Sequence, residues 1–149
     1  MSFDINICLR RAGRHYRLKL EEKSRVIGLV GESGSGKTTS LHMIAGLIRP
    51  DSGHICIADQ TYFDHTNRKD MPTRDRKCGY VFQDRRLFPH LNVNANLRYG
   101  MRKFDAERFE FYVDLLALKD LLHRQIHGLS GGEAQRVAIA RALLYDPAF

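Results

Sequence analysis

Residues 25–39 read RVIGLVGESGSGKTT, and the fold turns on how this stretch is read. Residues 25–30 form a short β-branched, apolar run, the pattern of a strand buried on both faces. Gly31-Glu32-Ser33-Gly34-Ser35-Gly36-Lys37-Thr38 follows at once and meets G-x-x-x-x-G-K-[ST] at every fixed position. Each residue type answers a need of phosphate chemistry. Glycines let the backbone curl with its N–H groups pointing inward. Lys37 supplies a point charge for the β- and γ-phosphates, and the Thr38 hydroxyl is suited to ligate Mg²⁺. A helix starting here turns its positive end toward the same phosphates. Gly31, Glu32, Ser33, Gly34, Ser35, Gly36, Lys37, Thr38 and Thr39 are therefore the candidate ATP contacts. A dinucleotide fingerprint is excluded, because Thr39 stands where the third glycine would be.

Outward from the loop, Leu41, Ile44, Ala45 and Ile48 fall at i, i+3, i+4 and i+7, the apolar stripe of a helix. Gly46 lies near its end, and Pro50-Asp51-Ser52-Gly53 reads as a turn. Upstream, residues 3–9 and 15–20 read as two strands of a hairpin around Gly13. Downstream come a strand over 54–58, a polar loop up to Lys77, and a strand over 78–82 that ends at Gln83. Helical pattern resumes at Phe104, with Asp105 as cap and Phe109, Tyr112, Val113 and Leu116 on one face. Leu121 and Leu122 open a short helix, and a last helix runs from Gly131 to Tyr145, stopped by Pro147. This order predicts an α/β fold with a helical insertion.

Composition agrees with a globular domain: 149 residues, 43% hydrophobic and 28% charged. The apolar runs fall far below the roughly 20 residues of a membrane span, and Met1-Ser2-Phe3-Asp4 lacks a secretory pattern. A soluble, cytosolic chain is the expectation. Cys8, Cys56 and Cys78 are odd in number and form no CxxC pair, which predicts free thiols. The net charge of +7 gathers at Arg10, Arg11 and Arg14, at Arg68 and Lys69, at Arg74, Arg76 and Lys77, and at Arg85 and Arg86. Such a balance favours anionic partners without choosing among them. Aromatics are not interleaved with these clusters, so no nucleic-acid partner is expected.

Leu129-Ser130-Gly131-Gly132-Glu133 opens the last helix. Ser130 and Glu133 fit the S-x-x-E capping box. The box leaves Gly131 and Gly132 unexplained, since glycine in helix interiors costs roughly 1 kcal/mol against alanine. Bare backbone at a helix N-terminus suits the close approach of an anion, which makes Ser130, Gly131 and Gly132 a second candidate phosphate site.

With these residues in view, the chain resembles the nucleotide-binding domain of ABC transporters. The likeness covers essentially all 149 residues. It includes the phosphate loop, Gln83 within Tyr80-Val81-Phe82-Gln83, and LSGGE running on into residues 135–143. The resemblance implies a RecA-like P-loop NTPase core, an N-terminal antiparallel β-subdomain and a helical signature subdomain. These form a single domain over 1–149, with β-subdomain and P-loop core over about 1–83 and Q-loop and helical subdomain over 84–149. It further implies a head-to-tail homodimer in which Ser130, Gly131 and Gly132 meet the ATP held by the partner. Gln83 would touch Mg²⁺ and position the attacking water, with Lys37 as the other catalytic group. The implied setting is an ATPase at the cytoplasmic side of the inner membrane, working with integral-membrane permease subunits and a periplasmic or extracellular binding protein. The stretch GYVFQDRRLFPHLNVNANLRYGM is most like the ATPases of molybdate importers. Other anion, iron or sugar importers share much of that pattern. A DNA-associated ABC ATPase is the rival, although only 93 positions separate Lys37 from Ser130.

In the family's order, the aspartate that orders Mg²⁺, the general-base glutamate and a switch histidine all lie beyond position 149. The expectation is a domain incomplete at its C-terminus that binds nucleotide better than it hydrolyses it. Asp59, after an apolar run, imitates a magnesium aspartate but belongs to the peripheral sheet in that order. His123 and His127 stand four apart, with Arg124 where a zinc helix needs glutamate. Tyr16 reads as a strand residue rather than an adenine-stacking aromatic.

Overall fold

Ile5, Ile7 and Leu9 alternate with more exposed neighbours, and this period of two sets the first strand, β1 (Ser2–Arg11). A two-residue turn at Ala12-Gly13 returns the chain as β2 (Arg14–Lys23), with Ile5 opposite Leu20 and Leu9 opposite Tyr16. On the other side of β1 lies β3 (Ser52–Ile57), which places Ile55 opposite Ile5 and Ile57 opposite Phe3. Two further strands, β4 (Gln60–Asp64) and β5 (Lys69–Asp70), complete an antiparallel sheet in the order β2-β1-β3-β4-β5. The computed structural model describes residues 1–101 and 103–149, which divide into two compact units, Met1–Arg76 and Lys77–Phe149.

In the first unit, α1 (Lys37–Ala45) follows the glycine-rich loop and buries Met43 and Ala45. Gly46 ends it at φ 78°, a left-handed position that glycine occupies without penalty, and the Leu47 N–H reaches back to the His42 carbonyl at 2.8 Å. A second device secures this end. Arg76, only 1% exposed, donates to the carbonyls of Met43 (3.1 Å), Ile44 (2.8 Å) and Met71 (2.9 Å) and pairs with Asp70 at 3.1 Å. A cation at the negative end of a helix is favourable; it satisfies the Ile44 carbonyl and adds a second donor to the Met43 carbonyl, which also accepts from the Gly46 N–H.

Several expectations change here. Residues 25–30 do not form a strand: Val26 is 84% and Val30 97% exposed. A strand exists only as part of a ladder, and among the described residues none lies alongside this run. Leu41, on the predicted stripe, is exposed, whereas Ala45 of the same stripe is buried together with Ser40 and Met43. Residues 78–82 are also irregular, although the Gly79 N–H donates to Phe149 (2.9 Å) and the Ala148 N–H to Lys77 (2.7 Å). The polar loop after residue 58 contains β4 and β5. Its turn residues Ala58 and Asp59 both hold positive φ, without the Asn-Gly or Asp-Gly pair that announces such a hairpin. The three cysteines are free, as the spacing predicted, but half-buried.

The second unit is helical: α2 (Val93–Tyr99), α3 (Ala106–Leu115) and α4 (Gly131–Leu144). Val93 and Leu97 of α2, Phe109 and Val113 of α3, and Val137, Ala140 and Leu144 of α4 share one core with Leu118 and Leu121. Asp105 caps α3 as the sequence suggested, accepting from the Arg108 N–H at 3.1 Å. The helix α2 was not anticipated. Its cap, Asn92, accepts from the Ala95 N–H at 2.8 Å and was the available signal. No described helix is long and apolar enough to cross a membrane.

Replacing Arg76 with alanine would strand the Ile44 and Met71 carbonyls and leave the Asp70 carboxylate to Arg49 alone. The expected loss is about 3 kcal/mol, read as a lower midpoint in urea unfolding monitored by circular dichroism.

Candidate functional site

The phosphate loop closes on its own lysine. The Lys37 ammonium donates to the carbonyls of Gly31 and Glu32, each at 2.7 Å, and to the Ser35 hydroxyl at 3.3 Å. The Ser35 N–H returns to the Glu32 carbonyl at 3.2 Å. Gly36 is the N-cap of α1 at φ 94°, and no side chain caps the helix. The first-turn N–H groups, from Lys37 to Thr39, thus have no side-chain acceptor, which is the donor set an anionic phosphate requires. A Cβ on Gly36 would lie 2.5 Å from the Tyr16 ring, so the aromatic of β2 packs directly on the loop. Sequence reading placed Tyr16 correctly in a strand and missed this contact, which depends on the pairing of the hairpin. The loop's donors and its confined cation fit a nucleotide phosphate with Mg²⁺ near Thr38, whose side chain is exposed.

In the second unit, Ser130 caps α4 through the full capping box. The Ser130 N–H donates to Glu133 Oε2 at 2.7 Å, and Ser130 Oγ accepts from the Glu133 N–H at 3.3 Å. A Cβ on Gly132 would meet nothing within 4 Å, and one on Gly131 would lie 3.3 Å from Arg85 Nη2. The hydrogen bonds from Ser130, then the Arg124 and Arg136 charges, hold the Glu133 carboxyl below the usual glutamate range.

Gln83 lies exposed in a turn. The residues after it are fastened by a group that sequence reading missed. Asn96 is fully buried. Its carboxamide accepts from the Phe88 N–H at 2.8 Å and donates to the carbonyls of Phe88, Leu91 and Asn92, each at 3.1 Å. Arg141 of α4 donates to the carbonyls of Arg85 (3.2 Å) and Arg86 (2.8 Å). Asn96 belongs to no short motif, and Arg141, although within the run 135–143 that follows LSGGE, lies 45 positions from it, so no local signal marks their contact. Two weaker candidates are corrected or placed. His123 and His127 do not share a helix, since separate 3-10 turns occupy Lys119–Leu121 and Ile126–Gly128. Asp59 sits in the β3–β4 turn at φ 64°.

A carboxyl with a lowered folded pKa stabilises above its unfolded value and loses that contribution as pH falls through the folded one. Wild type should therefore melt above Glu133→Gln at neutral pH, and the gap should close as falling pH protonates the carboxyl, because a protonated glutamate resembles glutamine. Ser130→Ala should cost about 1 kcal/mol at neutral pH. Thermal melts across pH check both.

Known proteins match this architecture. The Molybdenum import ATP-binding protein ModC of Haemophilus influenzae is 53% identical over 122 residues, 82% of this chain and 35% of that protein. Its counterpart in Vibrio parahaemolyticus is 47% identical over 146 residues, 98% of this chain and 36% of that protein. The chain thus spans about a third of the length of these curated relatives. Among solved structures, a bacterial Atm1-family ABC exporter with ATP bound superposes with TM-score 0.78 at 27% identity, covering 98% of this chain and 27% of its own. A dimeric ATP-binding cassette in a post-hydrolysis state, bound to ADP and Pi, gives TM-score 0.67 over 98% of this chain and 70% of its own, and at 24% identity supports the fold alone. The ABC transporter family pattern matches residues 14–149, from the second strand of the sheet through the phosphate loop and the capped signature helix, and the chain belongs to that family.

Proposed function

We propose that this chain is the nucleotide-binding part of an ATPase subunit that energises molybdate import from the cytoplasmic face of the membrane. The observation that carries the reading is the uncapped N-terminus of α1, wrapped by a loop whose lysine lies 2.7 Å from two of its carbonyls. Molybdate as cargo is supported by the relatives named for molybdenum import. No residue of an ATPase part is needed to contact the transported ion, so the cargo is a property of the assembled system.

Lys37 would exchange loop carbonyls for phosphate oxygens, a stronger charge-assisted contact. Backbone N–H groups over 33–39 would orient the β- and γ-phosphates, and the Thr38 hydroxyl would hold Mg²⁺. A bound Mg²⁺ supplies charge stabilisation on the phosphoryl oxygens. Gln83 is proposed as the residue that positions the attacking water. Ser130, Gly131 and Gly132 would receive the γ-phosphate of a second copy in a head-to-tail homodimer, a reading supported by the open space at Gly132. Permease subunits would dock at the exposed residues after Gln83, and a periplasmic or extracellular binding protein would deliver the cargo.

Two outcomes are expected. Lys37→Ala should weaken Mg-ATP binding at least about tenfold, the loss of one charged hydrogen-bond donor; equal affinities in titration calorimetry would sink the nucleotide reading. Charge reversal at Arg85 and Arg86 should weaken copurification with a molybdate permease and leave ATP affinity intact. Undiminished copurification would remove those arginines from the docking surface.

A further inference from the structure

Arg141 is expensive in its present place. It is half-buried on α4, and among the described residues no carboxylate pairs with it. Burial lowers its pKa from the usual arginine range, yet a guanidinium keeps its charge in a protein. That charge is met only by neutral dipoles. The carbonyls of Arg85 and Arg86 lie at 3.2 and 2.8 Å, Asn96 Oδ1 at 3.5 Å, and the Phe88 ring centroid at 5.1 Å. A hydrocarbon side chain would fill the site without desolvating a cation.

The carbonyls it holds are equally unusual. Arg85 and Arg86 are consecutive non-glycine residues at φ 62° and 44°, a left-handed pair that persists only where surroundings enforce it. Two local hydrogen bonds shape the turn, from the Arg85 N–H to Phe82 (2.9 Å) and from the Arg86 N–H to Asp84 (2.7 Å). Two unfavourable features therefore coincide two and three residues after Gln83, and each is stabilised by the other. Arg141 is also rigidly linked to the cap of its helix, about 15 Å along the axis from Gly131.

We infer that Arg141 is a positioning residue, which ties the signature helix to the strained turn after Gln83 so that an event at one is felt at the other. The inference rests on the ATPase reading above, in which Ser130 meets nucleotide and the turn meets a permease. Arginine suits the task because its planar fork spreads its donors, Nη2 reaching both carbonyls while Nη1 reaches Asn96 Oδ1. An ammonium in its place reaches them less completely.

Amide-resolved hydrogen exchange on the full chain, with the N–H groups of Arg85, Arg86 and Phe88 as reporters, tests the link in wild type, Arg141→Met and Arg141→Lys. Arg141→Met should speed exchange at these amides at least about tenfold, weaken capture by detergent-solubilised molybdate permease, and hold Mg-ATP affinity within about twofold. Arg141→Lys should recover part of both losses. A purely structural role would instead lower the global unfolding midpoint and accelerate exchange throughout the unit, and that result overturns the inference. Should Arg141→Met fail to fold, Arg141→Lys decides alone, and exchange equal to wild type at all three amides overturns it. A wild-type chain that neither binds ATP nor captures the permease sinks the ATPase reading itself; one that does both, with Arg141 variants indistinguishable from it, sinks only the link.

Discussion

A helix that begins at Gly36 with no side-chain cap leaves a turn of N–H groups facing outward, and the rest of the first unit is arranged around that deficit. The Lys37 ammonium does not relieve it, since a cation cannot accept a hydrogen bond. It neutralises the loop's own carbonyls instead, keeping the donors exposed and the wrap closed. Tyr16 reaches over from β2 to press on Gly36, so the edge strand of the sheet supports the loop from one side. The loop is thus held open for an anion by contacts that an anion would not have to break, apart from those of the lysine.

The two units obtain their order differently. The first is a chain of antiparallel neighbours, each strand paired with one next to it in sequence or one crossover away, and its one buried charge serves the end of α1. The second is a small apolar core with short helices, and its irregular segment is held by a buried carboxamide making four hydrogen bonds. Asn96 does there what a sheet ladder does elsewhere, satisfying backbone groups that have no regular partner.

What could be read from the sequence was what is local. The phosphate loop, the Ser130–Glu133 box and the Asp105 cap each lie within a few residues, and their hydrogen bonds were implied by residue type alone. The β1–β2 hairpin was legible because alternation and Gly13 coincide. Residues 25–30 and 78–82 have strand composition, yet composition states a capacity that only an adjacent ladder realises. The Tyr16 contact, the Arg76 anchor and the Asn96–Arg141 group join residues 20 to 45 positions apart. Polar side chains of that kind look like surface until the backbone they serve is seen.

The close approach of Arg76 to the end of α1 binds two distant positions into one evolutionary character. A Cβ at Gly46 would lie 2.5 Å from Arg76 Nε, and at φ 78° the backbone already disfavours any other residue. Drift at 46 is blocked while 76 remains arginine. Loss of the arginine would in turn relax selection on 46 sterically, but leave its backbone angle to be met. Among homologous chains the pair should therefore change in a fixed order, arginine first and glycine afterwards.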